Sequence, residues 1–100
     1  MTFVQLIEYE TDKPEELDKI FDQWMKDTEG KRTVTHELHG QDRDKPAHFV
    51  DIVEFPSYEA AMENSKLPGT QKNAERVRAL CTSEPRFVNL EVKREDIKQK

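Results

Sequence analysis

One hundred residues, 34% of them apolar and 37% charged, make one small domain with a modest core and a very polar surface. The net charge of −5 comes with basic residues scattered among acids, so there is no electrostatic footprint for nucleic acid and little attraction for an anionic membrane. A lone cysteine, Cys81, excludes an internal disulfide and fits a reducing cytoplasm, and no apolar run approaches the roughly 18–20 residues of a membrane span. The chain moves at once into a strand pattern, with no signal peptide expected.

Residues 2–9 (TFVQLIEY) alternate as a first strand. Phe3, Gln5, Ile7 and Tyr9 share one face; Val4, Leu6 and Glu8 share the other. Thr11 to Glu16 reads as a helix start, with Asp12 as cap, Pro14 in the first turn and acids at the positive end. Leu17, Ile20, Phe21, Trp24 and Met25 form its apolar stripe, and Gly30 ends it. Residues 32–39 read as a second strand, 40–46 as a polar turn and 47–55 as a third strand. Ser57 caps a helix from Tyr58 to Lys66. Leu67-Pro68-Gly69 breaks it, and Thr70 caps a further part from Gln71 to Cys81. Residues 86–93 (RFVNLEVK) alternate as a fourth strand.

This β-α-β-β-α-β order predicts an α+β, ferredoxin-like domain over residues 1–93: a four-stranded antiparallel sheet with helices on one face. Residues 94–100, mixed in sign and poor in apolar groups, are expected to be a frayed tail.

The chain resembles the dimeric α/β-barrel superfamily that includes the antibiotic-biosynthesis monooxygenase-like proteins. The likeness spans residues 2–93. Its most specific part is FVDIVEF (49–55) running into PSYEAAM (56–62) and then Pro68-Gly69-Thr70. The resemblance implies a homodimer closed through the open face of the sheet, with a small-molecule pocket between sheet and helices. Haem-degrading members carry an asparagine in the first strand, a tryptophan early in the second helix and a haem-ligating histidine soon after. Here Gln5 stands at the first position, Asn64 lies near the second, and residues 71–73 hold no histidine. Trp24 is on the other helix. Haem degradation is not expected, nor is any metal, flavin or haem cofactor.

The hairpin between strands two and three suggests a register. If His39 opposes His48, then His36 opposes Asp51 and Leu38 opposes Phe49, which keeps like faces together. Asp51 would then orient His36 for general acid–base work, with Gln5 and Asn89 placed to hold a substrate oxygen. Phe21, Trp24 and Phe55 are candidate pocket walls, although one helical stripe makes core the better reading of Phe21 and Trp24. A buried His–Asp pair is also a common structural device. His39 and His48 are expected at the surface beside the polar loop. Cys81 reads as a small buried hydrophobe rather than a nucleophile.

Two functions follow from these readings. One is a small cofactor-independent enzyme, a monooxygenase, cyclase or isomerase, acting on an aromatic or polyketide-like molecule. The other is a non-catalytic dimer with a ligand-binding, structural or stress-related role. Apart from a second copy and a small aromatic ligand, no partner is expected: no nucleic acid and no membrane.

Overall fold

The computed structural model describes residues 2–98. Its elements run β1 (Phe3–Glu10), α1 (Pro14–Asp27), β2 (His36–Gln41), β3 (His48–Phe55), α2 (Tyr58–Ser65), α3 (Pro68–Leu80) and β4 (Arg86–Glu91). The strands form one antiparallel sheet ordered β2-β3-β1-β4. The ferredoxin-like α+β fold expected from the sequence is the fold found. Residues 92–98 form no regular element, and the last two residues of the expected tail lie outside the described residues.

Alternation along β3 shows how the layers form. Phe49, Asp51, Val53 and Phe55 are buried, while His48, Val50, Ile52 and Glu54 are half-buried. The buried set faces the helices, as do Phe3 and Tyr9 of β1. Two apolar clusters sit in that layer. Phe3, Val53, Phe55 and Ala61 pack together under α2. Tyr9, Leu17, Phe49 and Val77 join β1 and β3 to α1 and α3. The opposite face carries Val4, Leu6, Val50, Ile52 and Val88, all half-buried, with Leu38 and Leu90 exposed.

Several local expectations are corrected. Thr11, not Asp12, serves the start of α1: its Oγ1 accepts from the Lys13 amide at 3.0 Å. The helix stops at Asp27, before Gly30, because Thr28 and Arg32 supply partners for its last carbonyls. The Thr28 hydroxyl donates to the Trp24 carbonyl at 2.7 Å, and Arg32 Nη1 donates to that of Met25 at 2.9 Å. Met25 is exposed, off the buried stripe. Pro68, Gly69 and Thr70 do not separate the helices but begin α3. A β-carbon on Gly69 would lie 2.8 Å from Cβ of Asp27 and 2.9 Å from Cγ2 of Thr28, so only glycine lets α3 approach α1 this closely. Thr70 accepts from Trp24 Nε1 at 3.1 Å across the same contact.

The hairpin register also differs. Gly40 and Gln41 remain in β2, and the turn lies further along. Asp42 Oδ1 accepts from the amides of Asp44 at 2.9 Å and Lys45 at 3.2 Å, an Asx-type turn. The Asp42 amide donates to the His48 carbonyl at 2.8 Å. Asp42 therefore stands opposite His48. His39 opposes Asp51, and His36 opposes Glu54. The slip from the expected register is three residues, and an odd slip exchanges faces.

No helix of the described residues is long and apolar enough to cross a membrane.

Ser57 caps α2 as its position predicts: its Oγ accepts from the Ala60 amide at 3.1 Å. Ser57→Ala should lower stability by roughly 1 kcal/mol. Urea unfolding should show this as a lower midpoint at unchanged slope.

Candidate active site

The register places three polar side chains together on the helix-facing side of the sheet. Asp51, in the middle of β3, is 7% exposed. Tyr9 comes from β1 and His39 from β2, the strands on either side. The Tyr9 hydroxyl lies 3.1 Å from each Asp51 oxygen and donates to them. His39 Nδ1 lies 2.6 Å from Asp51 Oδ1 and 3.3 Å from the Tyr9 hydroxyl. A carboxylate only accepts, so the Nδ1 position carries the proton toward Asp51. Phe49 stacks on the imidazole with ring centroids 5.3 Å apart, and Phe21 of α1 meets it edge-on at 4.8 Å. The ring is thereby held in one orientation, with 28% of its side chain exposed.

The electrostatics follow from this packing. The hydrogen bond to Asp51 raises the His39 pKa above its usual 6.5, outweighing the burial that opposes it. Burial, reinforced by the Asp51 charge, pushes the Tyr9 phenol far above its ordinary range. It stays a neutral donor throughout the working pH range. Glu37 is raised by burial first and by Asp51 second. The centre is Asp51 held by the His39 imidazole and the Tyr9 phenol, and the hydrogen bond to Asp51 favours the charged form of His39.

One side of Asp51 opens on a cavity of about 240 Å³ between the sheet and helices α2 and α3. Gln5, Ile7 and Phe87 line it from the sheet, and Thr70, Asn73, Val77 and Arg78 from α3. Gln5 Nε2 donates to Asn89 Oδ1 at 2.9 Å, across β1 and β4. Asn73 Oδ1 is buried with no hydrogen-bond partner among the described residues, which makes this cavity wall short of a donor. A larger hollow of about 440 Å³, lined by Leu38, Gly40, Val50 and Ile52 among others, is a shallow depression of the open sheet face, away from Asp51.

Measured against the sequence reading, the main correction concerns His36. It lies on the open face, its side chain 56% exposed, with Nδ1 2.8 Å from Glu54 Oε2. It neither meets Asp51 nor faces the cavity, because the Asp42 turn sets a register three residues away from the expected one. His39, expected at the surface, takes its place. His48 does sit beside the loop, bonded to Asp42 at 2.9 Å. Gln5 and Asn89 share the helix-facing side, and Gln5 lines the cavity. Trp24 is buried and reaches the site only through its bond to Thr70. Phe21 cages His39 instead of lining the cavity, and Phe55 lies in the other cluster, with Phe3 and Ala61. Asn64 is buried and accepts from the Thr33 amide at 3.4 Å, holding the approach to β2. Cys81 is half-buried, its thiol pushed up by burial. Among the described residues no group of three or more His, Cys, Asp or Glu side chains is gathered to hold a metal ion.

A raised histidine pKa fixes the sign of a pH effect. His39 adds stability that is complete below its unfolded value of 6.5 and is lost as pH rises through its folded value. His48, raised by Asp42, acts in the same direction. Melting temperature should therefore fall on going from mildly acidic to alkaline buffer, with a shallower fall in His39→Gln; the difference isolates His39. NMR titration should show the His39 value above 6.5, returning toward it in Asp51→Asn. Asp51→Ala, which strands both partners, should cost roughly 1–3 kcal/mol.

No protein-family model matches the sequence, and no curated protein matches it. The fold, by contrast, has many counterparts among solved structures. A mutant of SnoaB, described as a cofactor-independent oxygenase from Streptomyces nogalater, superposes with a TM-score of 0.80 at 17% identity, covering 94% of this chain and 95% of that one. A putative antibiotic biosynthesis monooxygenase from Nitrosomonas europaea gives 0.78 at 13%, covering 92% and 90%. A conserved protein from Methanosarcina mazei gives 0.82 at 8%, covering 93% and 94%. The resemblance read from the sequence is borne out as one of fold: this chain has the architecture of antibiotic-biosynthesis monooxygenase-like proteins.

Proposed function

We propose that this chain is a cytoplasmic, cofactor-independent enzyme acting on a small aromatic molecule bound between sheet and helices. One observation carries the reading: a buried carboxylate, Asp51, held by Tyr9 and His39, forms part of the wall of a cavity. Carboxylates this deep are rare without a task or a partner set. Asp51 has its partners in Tyr9 and His39, and its oxygens keep acceptor capacity beyond the two donors that hold them.

The chemistry open to such a centre is proton removal. A substrate hydroxyl reaching Asp51 from the cavity gives up its proton to the Asp51–His39 pair. The resulting aromatic oxyanion passes one electron to dioxygen; superoxide and the phenoxyl radical combine at a ring carbon, Asp51 returns its proton to the peroxide, and loss of water leaves a quinone. SnoaB, of the same architecture, is described as a cofactor-independent oxygenase. Gln5, fixed by Asn89, holds a second substrate oxygen. The positive charge of protonated His39 weakens Asp51 as a base, so turnover rises with pH as His39 loses its proton through its raised value.

The open sheet face supports the homodimer. Val4, Leu6, Val50 and Ile52 make a continuous apolar patch on the side the helices leave uncovered.

A second reading, a non-catalytic ligand-binding dimer, is favoured by one fact. No histidine lines the cavity, and His39 acts there only through Asp51.

Screening of phenols and quinols for oxygen uptake tests the first reading. Asp51→Asn should lower turnover by about 10²–10⁴-fold while the fold, monitored by circular dichroism, is kept. Ligand binding without turnover in the unmutated chain would leave the second reading. Ile52→Lys, which buries an unpaired charge in the proposed interface, should shift a dimer to monomer in light scattering; a native chain that is already monomeric removes the dimer.

A further inference from the structure

The cavity beside Asp51 has a polarity that bears on what it binds. Its described lining residues include one anion, Asp51, and one cation, Arg78. They differ in depth: Asp51 is 7% exposed, whereas the Arg78 side chain is 56% exposed. One charge thus lies in the floor and the other near solvent. The rest of the lining is neutral, with Ile7, Val77 and Phe87 offering apolar surface for a flat ring. Arg78 is only loosely committed. Its Nε lies 3.6 Å from Glu84 Oε2, and the Glu84 side chain is 79% exposed. A solvent-washed pair of this kind contributes little and exchanges readily for another anion.

Size adds a limit. About 240 Å³ falls below the roughly 300–1,000 Å³ of pockets for drug-sized ligands, which suits one ring better than a fused polycycle. Donors are needed at depth, where Asp51 accepts and Asn73 Oδ1 has no partner among the described residues. An acceptor with negative charge is needed at Arg78.

We infer that the cavity selects a one-ring hydroxylated aromatic acid, its hydroxyl directed inward to Asp51 and its carboxylate outward to Arg78. Arg78 then sets specificity, and Glu84 competes with the ligand for it. The inference rests on the proposed use of this cavity as the substrate site.

Two probes of equal shape separate the possibilities: 4-hydroxybenzoate and its neutral analogue 4-hydroxybenzamide. Titration calorimetry should give the acid about tenfold tighter binding than the amide, the scale of one charge-assisted hydrogen bond at a partly exposed site. In NMR spectra both should shift the amides of Val77 and Phe87. Arg78→Gln, a change at an exposed helical position, should remove the preference for the acid, bringing its affinity down to that of the amide. Glu84→Gln should tighten the acid alone. Equal binding of acid and amide, or a preference that survives Arg78→Gln, overturns the assignment of Arg78 but leaves the cavity as the ligand site. Failure of both probes to shift cavity amides overturns the inference and the cavity reading together.

Discussion

Asp42 spends one carboxylate oxygen on the amides of Asp44 and Lys45, and its own amide meets the His48 carbonyl. That turn decides which residues of β2 face the helices. Strand side chains alternate with a period of two, so a hairpin that closed one or three residues earlier would turn His39 outward and His36 inward. Everything distinctive about the site depends on this choice. It puts an imidazole beside Asp51 on one face and leaves His36 paired with Glu54 on the other.

Burial then gives the Tyr9–His39–Asp51 group its character. A carboxylate in this layer would be costly alone, and the protein offsets that cost with two donors from neighbouring strands. The aromatic rings of Phe21 and Phe49 pack against the imidazole and fix it. The same packing that stabilises the cluster raises His39 and keeps Tyr9 protonated. Structure and acid–base behaviour are here two consequences of one arrangement. The cavity begins where this packing stops, between Asp51 and the α3 wall, and α3 in turn stands where it does because Gly69 permits close contact with α1.

The likeness to cofactor-independent oxygenases is one of backbone architecture, at 17% identity for the SnoaB mutant. Such a fold accommodates different chemistries. Any reaction of this chain depends on Asp51, its partners and the cavity rather than on the shared backbone. Asn64, near the position that carries a tryptophan in haem-degrading proteins of this architecture, is committed to the backbone of Thr33.

The sequence by itself determined the elements and the layers. Period-two apolar alternation in 49–55 and in 3–9 named the faces of β3 and β1 correctly, and the stripe of Leu17, Ile20, Phe21 and Trp24 named the buried side of α1. It also placed Asp51 and Gln5 on the helix-facing side, because their parity follows from their neighbours; the neighbours of Asn89 left its face open, and the pairing with Gln5 decided it. Ser57 was legible as a cap from its place between Pro56 and an apolar helix. Tertiary structure alone decided how β2 lies against β3. That strand has no run of buried apolar residues to reveal its face: His36 to Gln41 are all exposed or nearly so as whole residues. Its register comes from side-chain hydrogen bonds within the turn, which a pattern of polar residues does not specify. Likewise, Pro68-Gly69-Thr70 reads locally as a helix breaker. Only the contact with Asp27, Thr28 and Trp24 makes it the start of a helix, since a missing β-carbon shows its use when another helix stands against it.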